Sequence, residues 1–317
     1  ICILSPVRQY FEDPLVTEIM INTYDQIFVE RQGLIERVDA QFDNEEAVQI
    51  LIHMIATNTG QSADALNHPI IDARLPDGSR VCGVLNPWSA AGSSLSIRLF
   101  PKTVLTAEDL LRTGSFTDEM LEFLRLAIQS RANVLVSGST GSGKTTLLNV
   151  LTSFIPSHER VVTVEDTEEL NVGVTNSVRL VSANRKKDTQ DAQDTSMPSF
   201  IKTALRQNPD RIIVGEMRDK DAADAFLQAI NTGHNGCAST LHANSCNDAL
   251  IRLQNFLGAS GLPVAYVESQ VRSNLHLLIQ AEKVPGVGRL ISSITEVRET
   301  KTLELWGYDY LVRRHIK

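Results

Sequence analysis

The 317-residue chain has few aromatic residues and no excess of basic charge. Aromatic residues make up 5% of it, and 30 lysines and arginines are outnumbered by 38 aspartates and glutamates, for a formal net charge of −8. Dedicated nucleic-acid-binding proteins usually carry a basic excess, so this balance argues against that class, although it leaves room for a local basic patch. The 42% of hydrophobic residues is typical of an ordinary globular protein.

Long hydrophobic runs and patterned cysteines are also missing. No stretch approaches the roughly 18 apolar residues of a membrane helix, and the start at 1–4 has no basic region, so we expect neither a transmembrane segment nor a signal peptide. None of the four cysteines forms a C-x-x-C pair, which argues against a zinc ribbon. We expect reduced, partly buried thiols of a cytosolic protein. These cysteines are Cys2, Cys82, Cys237 and Cys246.

The first hundred residues show the pattern of a small α+β domain. Short apolar runs separated by turn residues favour an antiparallel meander, and Asp77-Gly78 is a hairpin signal. The predicted elements are strands at 18–22, 26–30, 34–38, 80–85 and 94–99, and a helix after Asn44 with Ala47, Leu51, Met54 and Ile55 on one face. We assign 1–100 to this domain.

The rest of the chain alternates buried-looking strands with longer helices, the signature of a doubly wound α/β domain. We place a linker at 101–114, where Thr106 and Asp109 predict a capping box, and the second domain at 115–317. The polar stretch 185–195 is predicted to be an exposed loop. Strands are predicted at 133–137, 161–165, 211–214 and 237–241, followed by an antiparallel pair at 276–282 and 289–297.

A phosphate-binding loop follows the first of these strands. Residues 138–146 match G-x-x-x-x-G-K-[ST] in full. Glycines let backbone N–H groups converge on phosphate oxygens, and the following helix points its positive end at the same place. Lys144 would reach the β- and γ-phosphates of ATP, and the Thr145 hydroxyl would bind Mg²⁺. The predicted cofactor-binding residues here are Ser139, Thr140, Gly141, Ser142, Gly143, Lys144, Thr145 and Thr146.

Acidic residues and one histidine end the neighbouring strands. Glu216 ends an apolar strand, where P-loop enzymes place an acid for Mg²⁺ and the attacking water. A second strand ends in Glu165, the first of four carboxylates within five residues at 165–169, which could help to bind metal or polarise water. A solvated acidic turn is the alternative for that run. His242 ends a strand where a side chain could sense the γ-phosphate.

Four motifs in a fixed order resemble the secretion ATPases of type II and type IV secretion and pilus machines. In sequence order, the four segments resemble that family's Walker A, aspartate box, Walker B and histidine box. The resemblance extends over roughly 14–300. It is greatest for the Tad/Flp pilus and the conjugation and type IV secretion branch. The four segments are 138–146, 163–170, 211–219 and 240–244.

The resemblance implies a RecA-like P-loop NTPase domain preceded by a smaller α+β domain, with nucleotide between them, in a homo-hexamer. It implies that Arg80, Arg98 and Arg206 approach the phosphates, while Lys202 stands where many relatives have Arg. The zinc-binding cysteine cluster of many type II enzymes is missing, which excludes the zinc-bearing branch of the family. The A-I-R-N-L-I-R motif of pilus-retraction ATPases is also missing, which argues for export or assembly over retraction. Catalytic roles fall to Lys144, His242 and either Glu216 or Glu165.

The leading hypothesis is therefore a Mg²⁺-dependent ATPase motor for pilus assembly or macromolecular export, and nucleic-acid translocase is the main alternative. A translocase would need a basic, aromatic-bearing surface, and the main basic cluster is at 185–187. A small-molecule kinase would leave the first domain unexplained, and a non-hydrolysing scaffold is the non-enzyme alternative. We expect inner-membrane platform proteins as partners, no direct nucleic-acid partner, and a cytoplasmic location at the inner membrane.

Overall fold

The computed structural model describes residues 5–31, 33–100, 105–182, 194–259, 261–311 and 314–317. The chain divides into two compact units, Ile1–Thr103 and Val104–Lys317. Cys2, the predicted linker residues 101–104 and the stretch 185–193 of the predicted polar loop lie outside the described residues. Of the other cysteines, Cys237 and Cys246 are buried free thiols, whereas Cys82 is exposed.

The described part of the first unit contains a six-stranded antiparallel sheet in the order β3-β2-β1-β6-β5-β4. The predicted meander is confirmed in the pairing of its first three strands. The strand at 70–74, which brings the chain into the predicted hairpin, was not predicted. The elements are α1 Arg8–Glu12, β1 Val16–Thr23, β2 Gln26–Arg31, β3 Leu34–Arg37, α2 Glu45–Asn58, β4 Ile70–Arg74, β5 Arg80–Val84 and β6 Ser94–Arg98.

Helix α2 begins where the sequence predicted, because the Asn44 side chain accepts a hydrogen bond from the Ala47 amide at 3.0 Å. The predicted apolar face is partly wrong, since Met54 is 37% exposed. The face of the helix that reaches the core of the unit is wider and more apolar than the predicted face. That face consists of Val48, Leu51, Ile52, Ile55 and Ala56.

The second unit contains, among its described residues, a nine-stranded sheet in the order β15-β14-β13-β12-β7-β11-β10-β8-β9. Strands β12, β7, β11, β10, β8 and β9 are parallel, and β13 to β15 extend the sheet in antiparallel fashion. The strands are β7 Val134–Gly138, β8 Val161–Glu165, β9 Ser177–Val181, β10 Arg211–Val214, β11 Ala238–His242, β12 Leu277–Val284, β13 Gly288–Val297, β14 Thr302–Asp309 and β15 Arg314–Ile316.

Helices cover both faces of this sheet. Along β7, Val134 and Val136 pack with the first helices of the unit, whereas Leu135 packs with the later ones. This alternation produces the predicted doubly wound arrangement, in which the carboxyl ends of the parallel strands share one edge. The helices are α3 Ala107–Arg112, α4 Asp118–Gln129, α5 Lys144–Thr152, α6 Met197–Ala204, α7 Lys220–Asn231, α8 Cys246–Gly258 and α9 Val264–Asn274.

Several local predictions for this unit are confirmed. The Thr106 hydroxyl and the Asp109 carboxylate form both halves of a capping box at the start of α3. The antiparallel pair β12 and β13 is joined at 285–287. Strands β9, β14 and β15 were not predicted. In the described part of the chain, no helix combines the length and the apolar character needed to cross a membrane.

Candidate functional site

The motif that joins β7 to α5 requires glycine at its first position, which is also the last residue of β7. The backbone of Gly138 has φ +156°, and a Cβ there would lie 2.3 Å from the Ala281 carbonyl oxygen and 2.4 Å from Ser142 Oγ. Real Cβ atoms are not found at such distances from backbone oxygen, so any side chain would displace β12 or the loop. Gly138 therefore allows the loop to fold closely against the strand beside it.

Helix α5 begins without a side-chain cap. Its N-cap is Gly143, which has no side chain to accept a hydrogen bond from the first turn. The first N–H groups of a helix have no partner within the helix. Ser142 Oγ is buried and has no hydrogen-bond partner among the described residues. Thr145 and Thr146 lie half-buried on the first turn, while Thr140 is exposed. Open amides and an unsatisfied hydroxyl fit a bound anion such as phosphate.

Lys144 and His242 are brought together at the carboxyl end of the sheet. Strand β11 lies beside β7 with His242 opposite Gly138. The Lys144 ammonium group is largely buried and donates to the Ser139 carbonyl oxygen at 2.9 Å. Its Nζ also lies 3.3 Å from His242 Nδ1. The Lys144 ammonium group therefore contacts a histidine that lies 98 positions away in the sequence.

His242 links the loop to Glu216. Burial lowers the pKa of His242, and the nearby Lys144 and Arg218 cations lower it further, against the opposing effect of Glu216. The imidazole is therefore neutral at pH 7. Because an ammonium group can only donate, Nδ1 is the accepting nitrogen and Nε2 carries the proton. Nε2 lies 2.7 Å from Glu216 Oε1.

A guanidinium fork holds the other side of Glu216. Arg218 donates from Nε and Nη2 to Glu216 Oε2 at 3.0 and 2.8 Å, and from Nη1 to Asp166. It thereby ties the end of β10 to the end of β8. Sequence reasoning did not assign a role to Arg218, although its position two residues after Glu216 was a signal. Any metal or water bound by Glu216 competes with this fork.

Glu165 occupies a different environment from Glu216. It is 1% exposed, and its Oε1 accepts hydrogen bonds from the Glu169 and Leu170 amides at 2.9 and 2.7 Å. Oε2 is buried and has no partner among the described residues. Burial raises the pKa of Glu165 to about 7, with smaller increases from the Glu168 and Glu169 charges, while the two backbone hydrogen bonds oppose the rise.

The acidic run at 165–169 does not converge on one point. Asp166 binds Arg218, and Glu168 lies 3.3 Å from Arg179. Within the described ranges there is no cluster of three or more His, Cys, Asp or Glu side chains that could hold a metal ion. A magnesium ion here would therefore need phosphate oxygens and water in addition to protein ligands, as is usual for Mg²⁺ at nucleotide sites.

Of the three arginines predicted to approach the phosphates, two lie in the first unit and one lies in the second. Arg80 and Arg98 are cross-strand neighbours on β5 and β6 of the first unit. Arg80 binds the Asp72 carboxylate through Nε and Nη2 at 3.1 and 2.8 Å. Arg206 is exposed just after α6, and Lys202 is exposed within that helix. A role for these residues at a phosphate stays a prediction.

Sequence reasoning also missed Arg289. This residue follows the turn between β12 and β13, and its Nε donates to the Gly141 carbonyl oxygen at 2.8 Å. The two residues are 148 positions apart. No motif in the sequence announced the contact, since it depends on β12 being the neighbour of β7 in the sheet.

The assembled site combines a Gly-rich loop at the start of α5 with charged side chains at the carboxyl edge of a parallel sheet, and comparisons with known proteins identify the family. A family model described as type II/IV secretion system protein matches residues 4–290. The chain belongs to this family. The predicted resemblance to the secretion ATPases is thereby confirmed.

Individual members of the type II/IV secretion family agree with this assignment. A probable conjugal transfer protein TrbB of Sinorhizobium fredii is 35% identical over 290 residues, which cover 90% of this chain and 84% of TrbB. The VirB11 ATPase of the Brucella suis type IV secretion system, solved in complex with sulphate, is 27% identical over 93% of both chains with a TM-score of 0.51. The Legionella pneumophila ATPase DotB has a TM-score of 0.67 at 24% identity, over 92% of this chain and 80% of its own.

The comparisons confirm the predicted fold class, a RecA-like ATPase domain preceded by a smaller α+β domain. They also support the assignment as a secretion ATPase. The conjugal and type IV secretion relatives fit the branch that the sequence resembles.

Proposed function

We propose that this chain is a Mg²⁺-dependent ATPase motor that drives pilus assembly or macromolecular export through a type II or type IV secretion machine. The observation that carries the proposal is the series of contacts from Lys144 through His242 to Glu216 at the end of the phosphate loop. Such a series joins the group that holds phosphate to the groups that act on the attacking water.

In this proposal the phosphate loop and Lys144 hold the β- and γ-phosphates of ATP. Thr145 would hold Mg²⁺ together with Glu216, the latter directly or through water, and the bound ion would supply positive charge to offset that of the phosphates. The residues fit these groups, because the first-turn amides of α5 and the Ser142 hydroxyl are open to an anion. The sulphate complex of the Brucella relative supports binding of a tetrahedral oxyanion.

His242 is proposed to report the state of the γ-phosphate. A phosphate that draws the Lys144 ammonium group away from Ser139 and His242 removes the donor from Nδ1. The imidazole can then shift relative to Glu216, which changes the position of the carboxylate. Glu216 or Glu165 orients the attacking water. Glu165 has a pKa of about 7, which suits a general base, whereas Glu216 is held by Arg218.

The family relationship supports further assignments. We propose a homo-hexamer at the cytoplasmic face of the inner membrane, with membrane platform proteins as partners and no direct nucleic-acid partner. Arg80, Arg98 and Arg206 would bring positive charge to the phosphates when a nucleotide is bound. For Arg80 this means exchanging the Asp72 carboxylate for a phosphate, which would couple nucleotide binding to rearrangement of the first unit.

The metal requirement is tested by phosphate release from ATP with Mg²⁺ and with EDTA, using the wild type, Thr145→Ala and Glu216→Gln. We expect release to need Mg²⁺, Thr145→Ala to require more Mg²⁺ for half-maximal activity, and Glu216→Gln to lower kcat at least tenfold. Glu122→Gln, a change at an exposed carboxylate on α4, serves as the control. Undiminished release in EDTA contradicts the proposal, and salt-sensitive stimulation by DNA would favour a translocase.

A further inference from the structure

We infer that Arg289 is a positioning residue of the phosphate loop, and that it strengthens binding of nucleoside di- and triphosphates by fixing the loop backbone from outside. The inference rests on the proposed nucleotide site. It assigns to the β12–β13 hairpin a part in that site, in addition to its place in the sheet.

The Arg289 side chain contacts the loop at two points. Its Nε donates to the Gly141 carbonyl oxygen at 2.8 Å. Its Cδ lies 3.3 Å from the point where a Cβ on Gly143 would stand, so the aliphatic stem covers the start of α5. The contacts span the middle and the end of the loop, where the phosphate-facing amides begin.

A hydrogen bond to this carbonyl sets the direction of one peptide group. The peptide that carries the Gly141 oxygen also carries the Ser142 N–H, and in a planar trans peptide the two point in opposite directions. The Ser142 N–H points across the loop to the Ser139 oxygen at 3.3 Å, which is the same oxygen that accepts from Lys144. With the Gly141 oxygen held by Arg289, the Ser142 N–H stays directed toward the Ser139 oxygen and Lys144, where a bound phosphate would take the place of the Ser139 oxygen as its acceptor.

The backbone of Arg289 is itself held in place. Ser115 Oγ donates to the Arg289 carbonyl oxygen at 2.8 Å, and the Ile291 amide donates to the Ser115 carbonyl oxygen at 2.8 Å. At the other end of the loop, the Ala281 oxygen of β12 packs against Gly138. The hairpin therefore supports both ends of the loop, and Arg289 reaches Gly141 from a fixed strand.

Charge on the hairpin supports the same conclusion. Lys283 stands directly opposite Arg289 in the ladder between β12 and β13. Like charges directly opposite one another in a sheet are destabilising. The positive charge of Arg289 beside Gly141 becomes favourable when the anionic phosphates of a nucleotide arrive.

The test uses the full chain with Arg289→Met, which keeps the stem over Gly143 and removes the donors, and Arg289→Lys, which keeps the charge. Arg298→Met is the matched control, because Arg298 lies just beyond the other end of β13 and binds Glu296. Calorimetry gives the Kd for ADP, steady-state kinetics give kcat and KM for ATP, and thermal melting without nucleotide gives the Tm.

We expect Arg289→Met to raise the Kd for ADP and the KM for ATP about three- to tenfold, with kcat within about twofold of the wild type. Arg289→Lys should lose less, and Arg298→Met should bind like the wild type. Binding by Arg289→Met equal to that of Arg298→Met overturns the inference. A loss of ADP binding by Arg289→Met that is accompanied by falls in both kcat and Tm also overturns the inference, because it assigns Arg289 a general structural role.

If Arg289→Met does not fold, Arg289→Lys decides by the same comparison with Arg298→Met. A wild-type chain that does not bind ADP refutes the proposed function itself. A wild-type chain that binds ADP, together with an Arg289→Met variant that binds it equally well, refutes only the role of Arg289. The two failures are therefore distinguishable.

Discussion

Replacing Glu165 with glutamine should change how the stability of the second unit depends on pH. The glutamine side chain has the same shape but cannot titrate. Its oxygen can accept from the Glu169 and Leu170 amides that Glu165 Oε1 accepts from now. The carboxyl is 1% exposed, so solvent screens it little, and the variant removes one titration with little change in packing.

The sign of the effect follows from the direction of the pKa shift. Burial raises the pKa of Glu165 from 4.5 to about 7, so between these values the folded state binds more protons than the unfolded state. The contribution of this carboxyl to the free energy of unfolding is therefore largest in acid, falls as the pH rises through this range, and is gone above about pH 7.

The magnitude can be worked out from the same shift. Linkage converts it to a loss of about 2.5 kcal/mol in the free energy of unfolding between pH 5 and pH 8. Because the glutamine variant has no such term, the difference in unfolding free energy between Glu165→Gln and the wild type should rise by that amount over the same range. Other titrating groups are common to both chains and cancel.

Urea unfolding of the second unit can be followed by a single tryptophan. The chain has two tryptophans, of which Trp88 lies in the first unit and Trp306 is buried in the second. A Trp88→Phe background therefore reports on the second unit alone. Glu122→Gln in this background is the control, since it makes the same substitution at an exposed carboxylate on α4.

Parallel stability curves would refute this reasoning. If the difference between Glu165→Gln and the wild type stays constant within about 0.5 kcal/mol from pH 5 to pH 8, Glu165 has an ordinary pKa. Its proposed suitability as a general base near neutral pH would then be lost as well.

Two further predictions concern a buried ion pair and the histidine. Arg211 is fully buried and donates to Glu159 and to the Ile128 carbonyl oxygen. Arg211→Met should therefore lower the free energy of unfolding, measured by urea titration, by about 3–5 kcal/mol. Adding Glu159→Gln should recover part of this loss. An unchanged midpoint would contradict this account of the pair. His242→Gln should lower kcat for ATP at least tenfold and leave the Kd for ADP within about twofold, because its ring contacts Glu216 and Lys144 rather than the loop amides. Equal losses in both quantities would place His242 in nucleotide binding instead.

Local patterns predicted much of the fold because they report local physics. The capping box at Thr106 and the helix start at Asn44 are confirmed for this reason. Strands β7 and β11 each begin one residue later than predicted. Asn133 explains this, because its side-chain oxygen accepts from the Gly236 and Cys237 amides at 2.8 and 3.0 Å, where a strand ladder would otherwise start.

The candidate site was predictable only where a motif marks it. Lys144 begins the helix after the loop, Glu216 and His242 lie at the ends of neighbouring strands, and the structure brings the three into contact. Arg218 lies inside a motif that gives it no role, and Arg289 lies in no motif. Their contacts depend on the order of the strands and on where a side chain points, which single-sequence patterns do not encode.

The central claim is that this chain hydrolyses ATP at the phosphate loop, and it is tested most directly by phosphate release at saturating MgATP. Lys144→Ala is compared with the wild type and with Lys220→Ala, which removes an exposed lysine at the start of α7. The account predicts steady release by the wild type and by Lys220→Ala, and none above background by Lys144→Ala. Unchanged turnover in Lys144→Ala would contradict it.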